Sequence, residues 1–298
     1  MKIKIGTRGS KLALAQAEYV KDRLERAYSD LKCEIRVIRT IGDRILDKPL
    51  NEIGGKGLFV KEIEEKLIAG DIQIAVHSMK DMPEPAPGLI FSRTWQREDN
   101  RDVLILREKK SLSELRPGAV IATGSIRRKV QLEKLRPDLK IVGIRGNVDT
   151  RLRKMEEENL DGIVLAAAGL HRLGMKHKIT QYMDVEDMIP APAQGVLALE
   201  ISAENTKLKE KLNLLWDEES HNTASLERAY MERMDGGCHA PVGASCEILS
   251  NGEYRLRAMF GTETGERIVF SDVSGVDREV VLEETIRNIK EQMRNETE

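Results

Sequence analysis

The sequence is poor in cysteine and has no long uncharged stretches. Its three cysteines among 298 residues are Cys33, Cys238 and Cys246, an odd number with irregular spacing. This pattern argues against a disulfide framework and against a four-ligand zinc site. No apolar signal segment precedes the first strand-like run, and no stretch is apolar enough to span a bilayer. These absences predict a cytoplasmic protein in a reducing compartment, without a metal centre or a membrane partner.

An excess of charge of either sign is also missing. Lys and Arg total 48, Asp and Glu total 50, and the formal net charge is −2. A protein that binds nucleic acids in general carries a basic footprint, so we expect no nucleic-acid partner. The chain is long enough for two or three domains. No long apolar stripe is left over once the cores are assigned, which predicts a monomer.

The order of periodic segments predicts the fold class. Up to about residue 215, β-branched runs alternate with helical patterns, which is typical of α/β units with largely parallel strands. After Trp216 come one helix, a glycine-rich loop, three alternating runs and a closing helix. We therefore expect an α/β protein with two α/β domains around a cleft and a smaller α+β C-terminal domain that has a three-stranded antiparallel sheet.

Two strand-to-helix turns share one composition. Residues 5–11 and 121–128 both run from a strand through Thr and Gly to a serine that opens a helix. Ser10 and Ser125 are good N-caps, and the free backbone N–H groups beyond them favour an anion. Two such turns suggest two facing anion sites, although strand-to-helix turns often contain Gly and Ser without binding anything.

Arginines are concentrated at predicted strand ends and helix starts. In open α/β sheets these positions share the edge where ligands bind. A cation gains nothing from a helix N-terminus, so clustered guanidinium groups there imply an anionic ligand, and arginine pairs carboxylates in a bidentate manner. A solvated helix surface is the plainer alternative. The arginines concerned are Arg8, Arg127, Arg128, Arg145, Arg151 and Arg172.

Three further segments can carry chemistry. A buried strand at residues 75–77 delivers Ser78, Lys80 and Asp81 into a loop, which makes Asp81 a candidate acid or base; a surface Lys–Asp pair is the alternative. Cys238 lies among glycines that leave space beside its sulfur, so its thiol is a candidate attachment point or simply part of a tight turn. Lys56 and Gly57 end a polar stretch that reads as a mobile flap and lacks the spacing of a phosphate loop.

These motifs together resemble the porphobilinogen deaminase family, also called hydroxymethylbilane synthases. The resemblance rests on residues 77–83, 124–128, 143–151 and 227–241, which occur in the family's order and at its spacing. It covers essentially the whole chain. One departure is Ala193, which stands where the family usually has the first glycine of a Gly-Gln-Gly run.

The resemblance implies a transferase with three domains, of which the first two are built like periplasmic binding proteins. It places domain 1 at residues 1–97 and 194–216, domain 2 at 98–193 and domain 3 at 217–298. A dipyrromethane cofactor would be held by a thioether to Cys238. Four porphobilinogen molecules would be joined head to tail on it with loss of ammonia, and hydrolysis would release hydroxymethylbilane for uroporphyrinogen-III synthase.

Individual residues match positions of the family. Asp81 matches the catalytic aspartate, and residues 42–57, with Lys56 and Gly57, match the flexible active-site loop. Positions that hold the acetate and propionate groups of cofactor and substrate are matched by Arg8, Ser10, Ser78, Lys80, Thr123, Ser125, Arg127, Arg128, Arg145, Arg151 and Arg172.

Two other classes of function fit parts of the sequence. A non-catalytic protein with two lobes that close on a dicarboxylate would need only the first two domains, and it predicts an unmodified Cys238. A cysteine hydrolase is less consistent, because His239 is adjacent to the thiol and badly placed as its base, and no nucleophile elbow is present.

Overall fold

The computed structural model describes residues 2–40, 60–108, 111–234 and 240–295. Two predicted features lie outside these ranges: the active-site loop at 42–57, with Lys56 and Gly57, and the attachment residue Cys238.

Strands and helices alternate through most of the chain. The strands are β1 (Lys2–Thr7), β2 (Lys32–Val37), β3 (Ile74–Ser78), β4 (Leu89–Phe91), β5 (Asp102–Leu106), β6 (Val120–Ala122), β7 (Lys140–Val142), β8 (Gly162–Ala166), β9 (Gln181–Tyr182), β10 (Leu197–Ser202), β11 (Val242–Ile248), β12 (Tyr254–Gly261) and β13 (Ile268–Gly275). The helices are α1 (Lys11–Ala27), α2 (Lys61–Ile68), α3 (Ile126–Leu135), α4 (Val148–Glu157), α5 (Ala167–Arg172), α6 (Thr206–Asn213), α7 (Glu218–Arg233) and α8 (Arg278–Asn295).

The chain forms two compact units. The first unit comprises Met1–Arg97 and Val196–His221, and the second comprises Glu98–Gly195 and Asn222–Glu298. The sheet formed by β5 to β9 and the sheet formed by β11 to β13 both belong to the second unit. They are called the second sheet and the third sheet below. The division into three domains therefore stays a prediction.

The first unit is built on a five-stranded sheet in the order β2-β1-β3-β10-β4. Helix α1 packs on it through Ala17, Val20 and Leu24, which recur at three- and four-residue intervals and are fully buried. They join the fully buried Ile3 and Ile5 of β1 in one core. This core fixes the end of β1, and with it the start of α1, where predicted site residues lie.

The second unit contains a five-stranded sheet in the order β7-β6-β8-β5-β9. Strand β5 is buried along its whole length because both faces of the sheet are covered. Its apolar side chains join two clusters: Val103 belongs to one that includes Ile163, and Leu104 to another that includes Ile121. The sheet thus holds the ends of β6, β7 and β8 at fixed positions.

The sequence suggested largely parallel strands, and this is wrong for two strands. In the first sheet β10 runs antiparallel to both β3 and β4, while β1 is parallel to β2 and β3. In the second sheet β5 runs antiparallel to β8 and β9, while β6 is parallel to β7 and β8. Both exceptions follow soon after the chain passes from one unit to the other. They need no crossover helix on their own sheet, so nothing requires them to be parallel.

The third sheet is antiparallel, in the order β11-β12-β13. Helices α7 and α8 cover it, with Tyr230 and Leu282 fully buried in its core. The sheet also contacts the α/β part of the second unit, because the Ala244 N–H donates to the Pro190 carbonyl at 3.0 Å. Two five-stranded mixed sheets with helices and a small antiparallel sheet confirm the predicted fold class.

Within the described ranges, no helix is both long enough and apolar enough to cross a membrane.

Gly243 of β11 lies where the third sheet packs against the rest of its unit. A Cβ there would lie 2.7 Å from Met259 Cγ and 3.1 Å from the Ile189 carbonyl oxygen. We expect Gly243→Ala to lower the free energy of unfolding by about 1–3 kcal/mol through overpacking. Urea denaturation measures it. Gly143→Ala is the matched control, since a Cβ at Gly143 meets no atom within 4 Å; equal losses in both variants would contradict the expectation.

Candidate active site

In the first unit, the predicted site residues follow two neighbouring parallel strands, β1 and β3. Arg8 and Ser10 come after β1, and the Ser10 hydroxyl caps α1 by accepting the Ala13 N–H at 3.2 Å. Ser78 ends β3 and accepts a hydrogen bond from Gln16 Nε2 of α1 at 3.0 Å. The carboxyl ends of parallel strands share one sheet edge, so the structure places these residues at the same edge.

Lys80 and Asp81 lie in a 3-10 turn, Met79–Asp81, directly after β3. The turn is anchored on both sides, because Met79 and Met82 are buried and the Met79 N–H donates to the Val196 carbonyl at 3.0 Å. Asp81 is exposed. An exposed carboxylate on a fixed turn is available to a ligand without rearrangement of the backbone.

In the second unit, the ends of β6 and β7 carry a second group. Thr123 Oγ1 accepts the Ser125 N–H at 3.2 Å, and the Ser125 hydroxyl caps α3 by accepting the Arg128 N–H at 3.5 Å. Between them, a Cβ at Gly124 would lie 2.7 Å from the Ile144 carbonyl oxygen. The turn after β6 is thus pressed against the segment that leads into Arg145.

Arg145, Arg151 and Arg172 differ in their surroundings. Arg145 is exposed. Arg151 donates from Nε to the Gly146 carbonyl at 2.7 Å, which holds it against the turn that follows Arg145. Arg172, at the end of α5, donates from Nη2 to the Gly195 carbonyl at 2.6 Å. Arg145 and Arg151 lie after β7 and near the start of α4, as the sequence predicted, whereas Arg172 lies at the C-terminal end of α5 and not at a strand end.

Arg127 and Arg128 are instead almost completely buried around Asp102. Arg127 Nη1 lies 2.7 Å from Asp102 Oδ2 and 2.6 Å from the Ile189 carbonyl oxygen. Arg128 reaches Asp102 Oδ1 with Nε at 3.1 Å and Nη2 at 2.8 Å, and the Val164 carbonyl with Nη1 at 3.1 Å. The sequence predicted two ligand-binding arginines here, and it missed the internal carboxylate that holds them.

The charge balance at Asp102 favours the ionised carboxylate. Burial alone would raise the pKa of this fully buried group, but the charges and hydrogen bonds of Arg127 and Arg128 outweigh burial and hold the pKa well below its usual range. Within the described part of the chain, every hydrogen bond of Arg127 uses Nη1. Its Nε and Nη2 make no hydrogen bond to those residues, although a guanidinium offers five N–H donors.

The donor set fits an anionic ligand rather than a metal. Guanidinium groups and helix N-termini supply cations and N–H donors, which suit carboxylates. In the ranges that the structure describes, no group of three or more His, Cys, Asp or Glu side chains is arranged to hold a metal ion.

Comparison with known proteins decides the family. The family described as "Porphobilinogen deaminase, dipyromethane cofactor binding domain" matches residues 3–210, and "Porphobilinogen deaminase, C-terminal domain" matches residues 222–292. The chain belongs to the porphobilinogen deaminase family. This confirms the predicted family, the transferase class and the dipyrromethane cofactor. The alternative of a two-lobed binding protein is not favoured, because the C-terminal residues 222–292 also match a domain of this family.

Curated relatives share the family name, and the solved structures that the chain resembles are more distant. The chain is 55% identical to a porphobilinogen deaminase of Lachnospira eligens over 96% of this chain and 98% of that protein. It is 50% identical to one of Clostridioides difficile over 92% of each. Among solved structures, the periplasmic VFT2 domain of Bordetella pertussis BvgS has a TM-score of 0.42 at 18% identity, covering 71% of this chain and 85% of that one.

Replacing Asp102 with Asn should test the internal carboxylate. We expect Asp102→Asn to lower the free energy of unfolding by about 3–5 kcal/mol, because two buried guanidinium groups lose their counter-charge. Urea unfolding at several pH values measures it. The folded pKa of Asp102 is depressed, so its contribution is complete above the unfolded pKa of about 3.9 and is lost as pH falls through the lower folded pKa.

The difference in the free energy of unfolding between wild type and Asp102→Asn should accordingly stay constant from neutral pH to about pH 5 and shrink only in stronger acid. Asp138→Asn is the control, because Asp138 pairs with Arg136 at the surface. A pH-independent difference in strong acid, or an equally large effect of the control, would contradict the assignment.

Proposed function

We propose that this chain is a porphobilinogen deaminase in which Asp81 is the catalytic carboxylate and Cys238 carries the cofactor. The observation that carries the proposal is the placement of hydroxyl and guanidinium groups at parallel strand ends in both five-stranded sheets. In the reaction, four porphobilinogen molecules are joined head to tail. Each condensation breaks a methylene carbon–nitrogen bond, forms a carbon–carbon bond and releases ammonia, and water finally releases the linear tetrapyrrole.

The carboxylate-binding groups suit the substrate chemistry. Porphobilinogen carries two carboxylates, and each ring added brings two more, so a growing product needs many bidentate partners. When bound, the dipyrromethane supplies the free pyrrole α-carbon from which chain growth starts. The residues proposed to hold the carboxylates of cofactor and substrate are Arg8, Ser10, Ser78, Lys80, Thr123, Ser125, Arg127, Arg128, Arg145, Arg151 and Arg172.

Asp81 is proposed to act on the pyrrole nitrogen and on the proton that the reaction moves. Its exposed carboxylate accepts a hydrogen bond from a pyrrole N–H and stabilises the positive charge that develops as ammonia leaves. It can then take the proton lost from the α-carbon when aromaticity returns. Lys80, next to it, is proposed to bind a carboxylate of the same ligand and so to orient the ring.

The remaining proposals concern the cell and the partners. We place the enzyme in the cytoplasm, and neither of the two described cysteines, Cys33 and Cys246, forms a disulfide, as in a reducing compartment. We expect it to be a monomer that passes hydroxymethylbilane to uroporphyrinogen-III synthase. Light scattering after size-exclusion chromatography tests the oligomeric state.

The attachment site can be tested by mass. We expect the intact wild-type chain, under denaturing conditions, to carry a surplus equal to two linked pyrrole units, and Cys238→Ser to lack it, because a hydroxyl does not replace the thioether sulfur. Cys246→Ser is the control, since Cys246 is a buried thiol. An unmodified wild type that gains no mass on addition of porphobilinogen would refute the proposal.

The role of Asp81 can be tested by turnover. We expect Asp81→Asn to keep the covalent cofactor and to lose turnover by about 10²- to 10⁴-fold, because an amide neither carries the charge nor takes the proton. Mass spectrometry and porphobilinogen consumption measure the two outcomes. Asp22→Asn, another exposed aspartate of the first unit, is the control. Turnover at the wild-type rate would remove Asp81 from the mechanism.

A further inference from the structure

The turn from Ala191 to Gly195, referred to below as the 191–195 turn, has an unusual backbone. Ala193 has a φ of 56° and Gly195 a φ of 91°, so both are left-handed. Ala193 is completely buried, and the Gln194 N–H closes the turn on the Ala191 carbonyl at 2.9 Å. A left-handed alanine is unfavourable and persists only where its surroundings fix it. The contacts on the two sides of the turn supply that fixation.

On one side, the 191–195 turn holds the arginines of the candidate site. Gln194 is fully buried, and its Nε2 donates to Asp102 Oδ1 at 2.9 Å and to the Asn100 carbonyl at 2.7 Å. Asp102 in turn binds Arg127 and Arg128. The Gly195 carbonyl accepts the hydrogen bond of Arg172 at 2.6 Å. Three arginines proposed to bind carboxylates thus depend on one turn.

On the other side, the turn is held by Glu227 of α7. This carboxylate is fully buried; its Oε2 accepts the Ala193 N–H at 2.7 Å, and its Oε1 accepts the Cys246 N–H of β11 at 2.8 Å. Hydrogen bonds from N–H groups to a buried carboxylate are short and strong. Helix α7 leads directly into the segment that contains Cys238. All these contacts lie within the second unit.

From this chain of contacts we infer that Glu227 and Gln194 are positioning residues for the condensation, since through the 191–195 turn they set Arg127, Arg128 and Arg172 relative to α7. The inference rests on the proposed function, because the arginines bind carboxylates of the ligand and the segment after α7 carries the cofactor. Neither Glu227 nor Gln194 needs to touch the ligand. Their effect is to keep the attachment end and the carboxylate-binding end of one ligand in register.

The test compares E227Q and Q194L with Y230F. E227Q leaves one of two backbone N–H groups facing an amide nitrogen, and Q194L removes the donor to Asp102. Tyr230 is the matched control: it lies on the same helix, is fully buried and donates one hydrogen bond, to the Met259 carbonyl at 3.2 Å, on the side of the third sheet. Y230F removes this hydrogen bond and so weakens the packing of α7 on the third sheet, but it removes no contact of the 191–195 turn.

We expect E227Q and Q194L each to lower kcat/KM for porphobilinogen about tenfold, which is the scale of one lost buried hydrogen bond, and to reduce the fraction of chains that carry the cofactor mass. The Ala193 amide should exchange with deuterium faster in both. Because both residues act through the same turn, kcat/KM of the double variant should be only slightly lower than that of the less active single variant. Y230F should keep kcat/KM and cofactor loading at a comparable melting temperature.

Several results separate the outcomes. If E227Q does not fold, Q194L approaches the same turn from the other side and gives the same readouts. If both variants match Y230F in kcat/KM, loading and exchange, or if their effects simply add, the positioning role is wrong while the function stands. If wild-type chain neither carries the cofactor mass nor consumes porphobilinogen, the proposed function fails and the positioning role falls with it.

Discussion

The buried carboxylate of Asp102 is the charge on which the second unit depends. It lies at the start of an otherwise apolar, fully buried strand, where an unpaired charge would be prohibitively unfavourable. Arg127, Arg128 and Gln194 surround it with donors. Because two guanidinium groups share one carboxylate, the cluster keeps a net positive charge inside the protein. A second, external carboxylate would complete the balance, which connects the packing of the unit with ligand binding.

This arrangement changes how the arginines at strand ends and helix starts should be interpreted. Arg145 is exposed, while Arg151 and Arg172 rest on backbone carbonyls. Arg127 and Arg128 have a structural role besides their proposed role in ligand binding, since they bind Asp102 and the carbonyls of Ile189 and Val164. A buried guanidinium with fixed partners has already lost its rotamer freedom, so binding a carboxylate costs it little additional entropy.

Local features were predictable from sequence, and contacts between distant segments were not. Ser10 and Ser125 are the N-caps that their positions indicated, because a cap depends only on residues within one turn of helix. A lone carboxylate at the start of an apolar strand is a signal that the sequence does contain. The role of Asp102 was nevertheless missed, because its partners on α3 and in the 191–195 turn are distant in sequence. The direction of β5 and β10 could not be read either, since alternation and β-branching are the same in parallel and antiparallel strands.

The position of β10 in the first sheet has a consequence for biosynthesis. This strand lies between β3 and β4, yet it is made only after the α/β part of the second unit. Until it leaves the ribosome, β3 has an unpaired edge on that side, and the buried face of α1 lacks part of its core. The N-terminal segment must therefore wait, incomplete, while residues 98–195 are translated and can already collapse. Nascent chains that stall in this interval present an open strand edge, which is a site for pairing with other chains and for aggregation.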